Sequence, residues 1–289
     1  MIENHILPCL GNVKISAFST FLLNDFMFNK LQAGRLDKKG GLSPAYVKNI
    51  MFIITSVIKF AVNEQLCQPM NLHLFKPDSE KKELAILSVI EQQKLESYLK
   101  THLTYTALGI LISLHMGLRI GEVCALTWDD VDFENEIIHI RSTVARIKNT
   151  QKVCEYKTHL IIDKPKTKSS LRDIPIPSSL LPLLLKMRKK ACSRYVISDK
   201  ETFTSPRTFE YRYHELLDIC DIESINYHAL RHTFATRCVE VGVDVKTLSE
   251  ILGHADVSIT LNTYVHPSIE LKRKQMEKLS VLAADIASA

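Results

Sequence analysis

The sequence predicts a mainly α-helical protein with a small antiparallel sheet, divided into two domains. Apolar residues recur at helical spacing over two long stretches, and three short β-branched runs fall between residues 137 and 176. A proline followed by a run of charge near residue 80 separates the two parts. Residues 1–75 read as helical, with turn signals at Gly40-Gly41 and Ser43-Pro44. Ser43 suits the cap of a helix whose first residue is Pro44, and Val47, Ile50, Ile54, Val57, Ile58 and Ala61 then recur along it. The apolar pattern stops at Phe75-Lys76-Pro77-Asp78, which sets a helical domain over 1–78, a linker over 79–84 and a second domain over 85–289.

In the second domain the spacing is helical from Ser88 to Met116, closed by Gly117 where a C-terminal cap belongs. Arg119 then stands at the start of a helix over roughly 120–127. After an acidic turn, Asp129-Asp130-Val131-Asp132, the residues Ile137, Ile138 and Ile140 read as a strand. Two more strands, His159 to Ile162 and Leu171 to Ile176, flank the turn from Lys164 to Ser170. Helices resume over 178–192 and again from about 206.

The net charge of +5 is mild, but its distribution is not even. Residues 1–76 hold eight Lys/Arg against four acids, and residues 141–172 hold nine against two. Local basic surfaces of this kind suit a polyanion. Seven cysteines, at 9, 67, 124, 154, 192, 220 and 238, show no short paired spacing. That fits a reducing cytosol and argues against a disulfide framework or a zinc site. No stretch is read as long enough to cross a membrane, and the first residues lack the sections of a signal peptide. The chain therefore reads as soluble and cytoplasmic, with no membrane partner.

The chemistry-bearing residues are Arg119, the lysines of the 164–170 turn, His228, Arg231, His254 and Tyr264. Arginines fork onto phosphate oxygens, histidines exchange protons, a lysine can act as an acid, and a tyrosine hydroxyl can attack phosphorus. His228 and Arg231 are three apart on one helical face, as are Arg119 and Glu122, and Asp256 can cap the helix that runs to Tyr264. Singly each has an ordinary reading: a packing tyrosine, a surface histidine, a helix-surface ion pair. Their order and local contexts together point elsewhere.

Gly117-Leu118-Arg119-Ile120-Gly121-Glu122, His228-x-x-Arg231-His232-Thr233-Phe234-Ala235-Thr236 and Leu252-Gly253-His254 with Tyr264 ten residues later resemble the boxes of the tyrosine recombinases, or phage-type integrases. The resemblance covers most of residues 85–266 and is nearest to integrases of conjugative transposons and temperate phages. It implies a two-domain architecture, with a helical core-type DNA-binding domain before a mixed α/β catalytic domain. Met1 is expected to fall inside the first of these, shortening it. Tyr264 is expected to form a 3′-phosphotyrosyl link, Arg119, Arg231 and His254 to stabilise charge on the non-bridging oxygens, and His228 to assist proton transfer from Tyr264.

The resemblance further implies that a turn lysine protonates the leaving 5′-oxygen. Lys166 is preferred, in a Pro-Lys-Thr context, with Lys168 as the alternative. Glu122 is expected to buttress the site. Neither metal nor other cofactor is expected, since the covalent link keeps the bond energy. Double-stranded DNA is the implied partner, with Lys48, Arg141, Lys164, Lys168 and Arg172 as expected contacts. A helix opened by Pro267, with Ile269, Met276, Leu279, Leu282 and Ile286 on one stripe, is expected to link protomers in a tetrameric synapse. The implied function is integration and excision of a mobile element. A catalytically impaired DNA-binding relic and a type IB topoisomerase are the alternatives.

Overall fold

Caps and apolar spacing set the helices of the computed structural model. It describes residues 1–78, 84–149, 158–164 and 167–265, with Arg273, Met276 and Glu277 beyond, and only the backbone of Lys148 and Lys168. The chain divides into two compact units, Met1–Glu83 and Leu84–Ala289.

In the first unit a π turn, Ile2–Ile6, leads into the single-turn helix α1, Leu7–Leu10. Helix α2, Thr20–Ala33, is capped by Ser19, whose hydroxyl accepts from the Leu22 N–H at 3.2 Å. Helix α3, Pro44–Asn63, starts where the sequence places it: Ser43 Oγ accepts from the Tyr46 N–H at 3.3 Å. Pro44 at the first helical position has no N–H to leave unpaired. Leu23, Phe26 and Met27 of α2 share one core with Val47, Ile50, Ile54 and Ile58 of α3. Val57, expected on that stripe, is 48% exposed. Ile58, one residue on, takes the inward place in that turn.

Helix α3 departs from the expectation that no stretch is long enough to cross a membrane. With 20 residues and a mean hydropathy of 1.5, α3 is long and apolar enough to cross a membrane by length and composition. Its inward stripe forms the core of this unit, as in a core helix.

In the second unit, α4, Val89–Thr101, opens with a capping box: Ser88 Oγ accepts from the Glu91 N–H, and the Glu91 carboxylate accepts from the Ser88 N–H. The stretch read as one helical pattern from 88 to 116 is two helices. Thr104 starts the second by accepting from the Ala107 N–H at 3.1 Å. This α5, Tyr105–Met116, is buried almost all round and forms the centre of the larger core. It ends at Gly117, whose φ of 67° is left-handed, and a Cβ there would lie 2.5 Å from the Phe234 ring. Helix α6, Ile120–Ala125, follows at once.

Among the described residues five strands come next: β1, Val131–Asp132; β2, Ile137–Ile140; β3, Thr143–Lys148; β4, Thr158–Asp163; and β5, Arg172–Pro175. The single sheet expected from the sequence is, among the described residues, two antiparallel ones. They run β1-β2-β5 and β3-β4. In the first, Val131 and Ile174 both oppose Ile138; in the second, Val144 opposes Ile162. The strands on either side of the lysine turn thus pair with different partners. Strand β3 escaped notice because Arg146 and Lys148 made it read as basic surface, and β1 because it lies in the acidic turn.

Among the described residues five longer helices follow: α7, Leu181–Arg188; α8, Pro206–Ile219; α9, His228–Glu240; α10, Val245–Leu252; and α11, Val257–Tyr264. Leu108, Ile112, Phe209, Tyr213 and Leu230 belong to the main core, while Ala235, Leu248, Leu252 and Tyr264 form a smaller one uniting α9, α10 and α11. Each buried leucine in these cores stabilises the fold by roughly 1.5–3 kcal/mol. The smaller core seats the segment that carries the candidate site.

Candidate active site

The C-terminal end of α10 organises the site. The last carbonyls of a helix have no partner within it, and they form the negative end of its dipole. Here three consecutive ones each accept from a different arginine. Ile251 O accepts from Arg172 Nε, Leu252 O from Arg231 Nη2 at 2.6 Å, and Gly253 O from Arg119 Nη2 at 3.4 Å. Arg172 comes from β5, Arg231 from α9 and Arg119 from the residue before α6. Gly253 turns the chain out of α10 with φ 66°, where a Cβ would lie 2.9 Å from Ser169 O. Ser169 and Ser170 therefore lie directly against the arginine cluster.

Glu122 holds two of these arginines together. Its Oε1 accepts from Arg119 Nη1 at 2.9 Å and Arg172 Nη1 at 3.1 Å; its Oε2 accepts from the Arg119 amide and Arg172 Nη2, both at 2.9 Å. Burial alone pushes this carboxyl up, but the hydrogen bonds and charges of Arg172 and then Arg119 outweigh it and hold its pKa below the usual range. Three guanidinium charges against one carboxylate leave the cluster an excess of two positive charges. That excess suits a phosphate.

Arg231 is 2% exposed. Its Nη1 also donates to Gly117 O at 2.8 Å, so the left-handed end of α5 and the end of α10 fix it from two sides. Burial, then the charge of Arg119, lowers its pKa to about 9, which leaves it charged at neutral pH. His254 Nε2 lies 2.9 Å from Arg231 Nη2 and its Nδ1 lies 2.8 Å from Thr260 Oγ1. A guanidinium only donates, so Nε2 is the acceptor and Nδ1–H donates to Thr260. Burial, then Arg231 and Arg119, lowers the pKa of His254 to about 4, in keeping with that neutral form.

Tyr264 ends α11, which Asp256 opens by accepting from the Ser258 N–H at 2.8 Å. The tyrosine is 8% exposed. Burial raises its pKa, opposed by the charges of Arg231 and Arg119. Its hydroxyl lies 2.7 Å from His232 Nδ1. His232 stood in the sequence motif without an assigned role. Helical spacing was the available signal, since residues 228, 231 and 232 share one face of α9. His228, the first residue of α9, packs edge-on against His232 with ring centroids 4.5 Å apart. Loss of surrounding water, then the neighbouring His232 and Arg231, lowers the His228 pKa to about 4.

The structure thus brings Arg119, Glu122, His228, Arg231, His254 and Tyr264 to one place. Arg172, expected as a DNA contact, is placed otherwise. Its side chain is 6% exposed and its guanidinium is spent on Glu122, Ile251 O and Ser170 O. A buried acid drew it inward, making it part of the support for Arg119. Arg141 and Lys164 are exposed and line a shallow groove with His139, Leu171 and Asp173. Lys48 is exposed on α3. Lys166, the Lys168 side chain and all but three residues of the expected C-terminal helix lie outside the described residues. Among the described residues no group of three or more His, Cys, Asp or Glu is placed to hold a metal ion.

The sequence profile of the phage integrase family matches residues 80–270, so the chain belongs to that family, the tyrosine-type site-specific DNA recombinases. A XerC-like tyrosine recombinase of Caldanaerobacter subterraneus subsp. tengcongensis is 31% identical over 94% of this chain and 73% of its own length. The transposase of transposon Tn916 from Enterococcus faecalis is 28% identical over 68% of this chain, which spans about half of that relative, 51%. Among solved structures, the Tn1549 transposon integrase in complex with a circular intermediate DNA aligns with a TM-score of 0.71 at 24% identity, covering 93% of this chain and 88% of that one. A lambda integrase tetramer bound to a Holliday junction aligns at 0.60 and 16% identity, over 91% and 70%. At these identities the structural likeness concerns the fold.

Proposed function

We propose that the chain cleaves and rejoins double-stranded DNA through a covalent link to Tyr264, in the integration and excision of a mobile element. The observation that carries this reading is the convergence of Arg119, Arg231, His254 and the Tyr264 hydroxyl on the end of α10. The scissile phosphate sits against the arginines. The Tyr264 oxygen gives up its proton and bonds to phosphorus, charge grows on the non-bridging oxygens, and the bond from phosphorus to the 5′-oxygen breaks. The arginines are donors already aimed at that charge, where fixed donors contribute most. An anion beside His254 favours its protonated form and turns Nε2 into a further donor. A lysine of the 164–170 turn, Lys166 in preference to Lys168, protonates the departing 5′-oxygen. Rejoining reverses each step with a new 5′-hydroxyl, and the retained bond energy makes ATP unnecessary.

The first unit supplies a second grip on the duplex in this reading, with Lys48 among its contacts. Arg141 and Lys164 hold phosphates beside the site, and the C-terminal helix joins protomers into a tetramer in the cytoplasm. The test is Tyr264→Phe, which removes one oxygen and little packing. It is expected to abolish the covalent protein–DNA adduct while leaving DNA retention in a gel-shift assay near the parental level. An adduct that persists would rule Tyr264 out. Retention with no adduct from the parental protein would favour the relic.

A further inference from the structure

We infer that His232 is the base that takes the phenolic proton of Tyr264, in place of His228; the inference rests on Tyr264 being the nucleophile. The hydroxyl has His232 Nδ1 at 2.7 Å, and the charge of Arg231 lies close by. A guanidinium has no lone pair to receive a proton, whereas an imidazole nitrogen does. With the tautomer that carries its proton on Nε2, Nδ1 accepts and the phenol donates. A candidate base has to lie within about 2.6–3.2 Å of the proton it removes, and His232 meets that requirement.

His228 instead contacts the His232 ring, edge to face, from the preceding helical turn. Its place is that of a support for the base. The ring of His232 is half-buried between this neighbour and Tyr264. Burial, and then the charge of Arg231, lowers its pKa, so the ring is unprotonated at neutral pH and free to accept. In the forward step the phenol O–H bond breaks and leaves its electron pair on oxygen. The proton bonds to Nδ1, which makes His232 an imidazolium. The oxygen bonds to phosphorus as the bond to the 5′-oxygen breaks, and the turn lysine supplies the proton that the 5′-oxygen takes. On rejoining, the imidazolium returns its proton to the leaving phenolate. Arg231 close by limits how long that second positive charge persists, which suits a base that must hand its proton back.

The experiment measures the rate of covalent adduct formation on a nicked duplex carrying the joined ends of the element. Four variants are compared: His232→Ala, His232→Gln, His228→Ala and Tyr264→Phe. DNA retention by each serves as the check that the protein is folded. His232→Ala is expected to slow adduct formation by about 100-fold or more, in the range of general base catalysis. Imidazole added to the buffer should recover a large part of that loss. His232→Gln, which keeps an acceptor near the hydroxyl but takes no proton, should stay as slow as His232→Ala. Imidazole should not rescue His228→Ala. A near-parental rate for His232→Ala, a parental rate for His232→Gln, or rescue of His228→Ala alone would each overturn the assignment. Tyr264→Phe separates the two claims. An adduct in that variant removes the nucleophile itself, whereas its loss alongside a parental His232→Ala removes only the base.

Discussion

Arg231 and Arg141 are the same side chain in opposite settings, and the contrast separates chemistry from grip. Arg231 is 2% exposed and tied to Gly117 O, Leu252 O and His254. The entropy of ordering it is lost on folding, so a bound phosphate meets a donor already in position. Arg141 is exposed, in a groove shared with Lys164. In the proposed reading it is ordered only when DNA arrives, and its main effect is counterion release. Burial therefore predicts which cations act on the reaction rate and which on the binding constant.

The largest expected effect is at the buried end of this comparison. Arg231→Ala should lower adduct formation by about 10²–10³-fold, as loss of one fixed transition-state donor does. The same change leaves the Gly117 and Leu252 carbonyls unpaired, at about 1–3 kcal/mol each, so the thermal midpoint should fall as well. Next comes Glu122→Gln. Without the carboxylate, Arg119 and Arg172 face each other uncompensated. Cleavage and stability should both drop, the latter by about 3–5 kcal/mol as for a broken buried ion pair. Gly253→Ala forces a side chain into a left-handed position against Ser169 O, and should cost roughly 1–2 kcal/mol in denaturant unfolding from the backbone alone.

The smallest effects belong to the exposed cations. Arg141→Ala and Lys164→Ala should each weaken binding across all sequences and reduce the salt slope by about one. A steeper loss of cleavage than of binding in either variant would erase the contrast drawn here.

Acid should act on the same cluster. His254 and His228 have folded pKa values of about 4, below the ordinary 6.5. Between those pH values the unfolded chain binds more protons, so stability rises with pH and is lost on acidification. Glu122, with a lowered pKa, acts in the same direction: its contribution is present above its unfolded pKa and lost as pH falls through the folded one. The thermal midpoint should thus decline from pH 7 towards pH 4. In Glu122→Gln the part of that decline nearest pH 4 should flatten.

Much of this was legible in the sequence because it depends on local chemistry. Ser43-Pro44, Gly117 and Asp256 announce helix ends by caps that act within a few residues, and helical spacing put His228 with Arg231. What escaped depends on pairings across the chain. Arg172 read as one more surface cation because nothing within a few residues of it shows that Glu122, fifty residues earlier, waits in the core. The contact of His232 with Tyr264 spans thirty-two residues and is made by the packing of α9 on α11. The division into two sheets turns on β3, whose polar residues hid an alternating strand.

The division of labour between arginines and lysine can be measured directly with a duplex whose bridging 5′-oxygen at the cleavage site is sulfur. A thiolate leaves without protonation, since thiols have pKa values near 8.5. Lys166→Ala should be slow on ordinary DNA and largely rescued on the sulfur substrate. Arg119→Ala should stay slow on both, because its proposed target is the non-bridging oxygens. Rescue of Lys168→Ala in place of Lys166→Ala would move the acid two residues along the turn. Rescue of Arg119→Ala would contradict the account, because it would place that guanidinium on the leaving group.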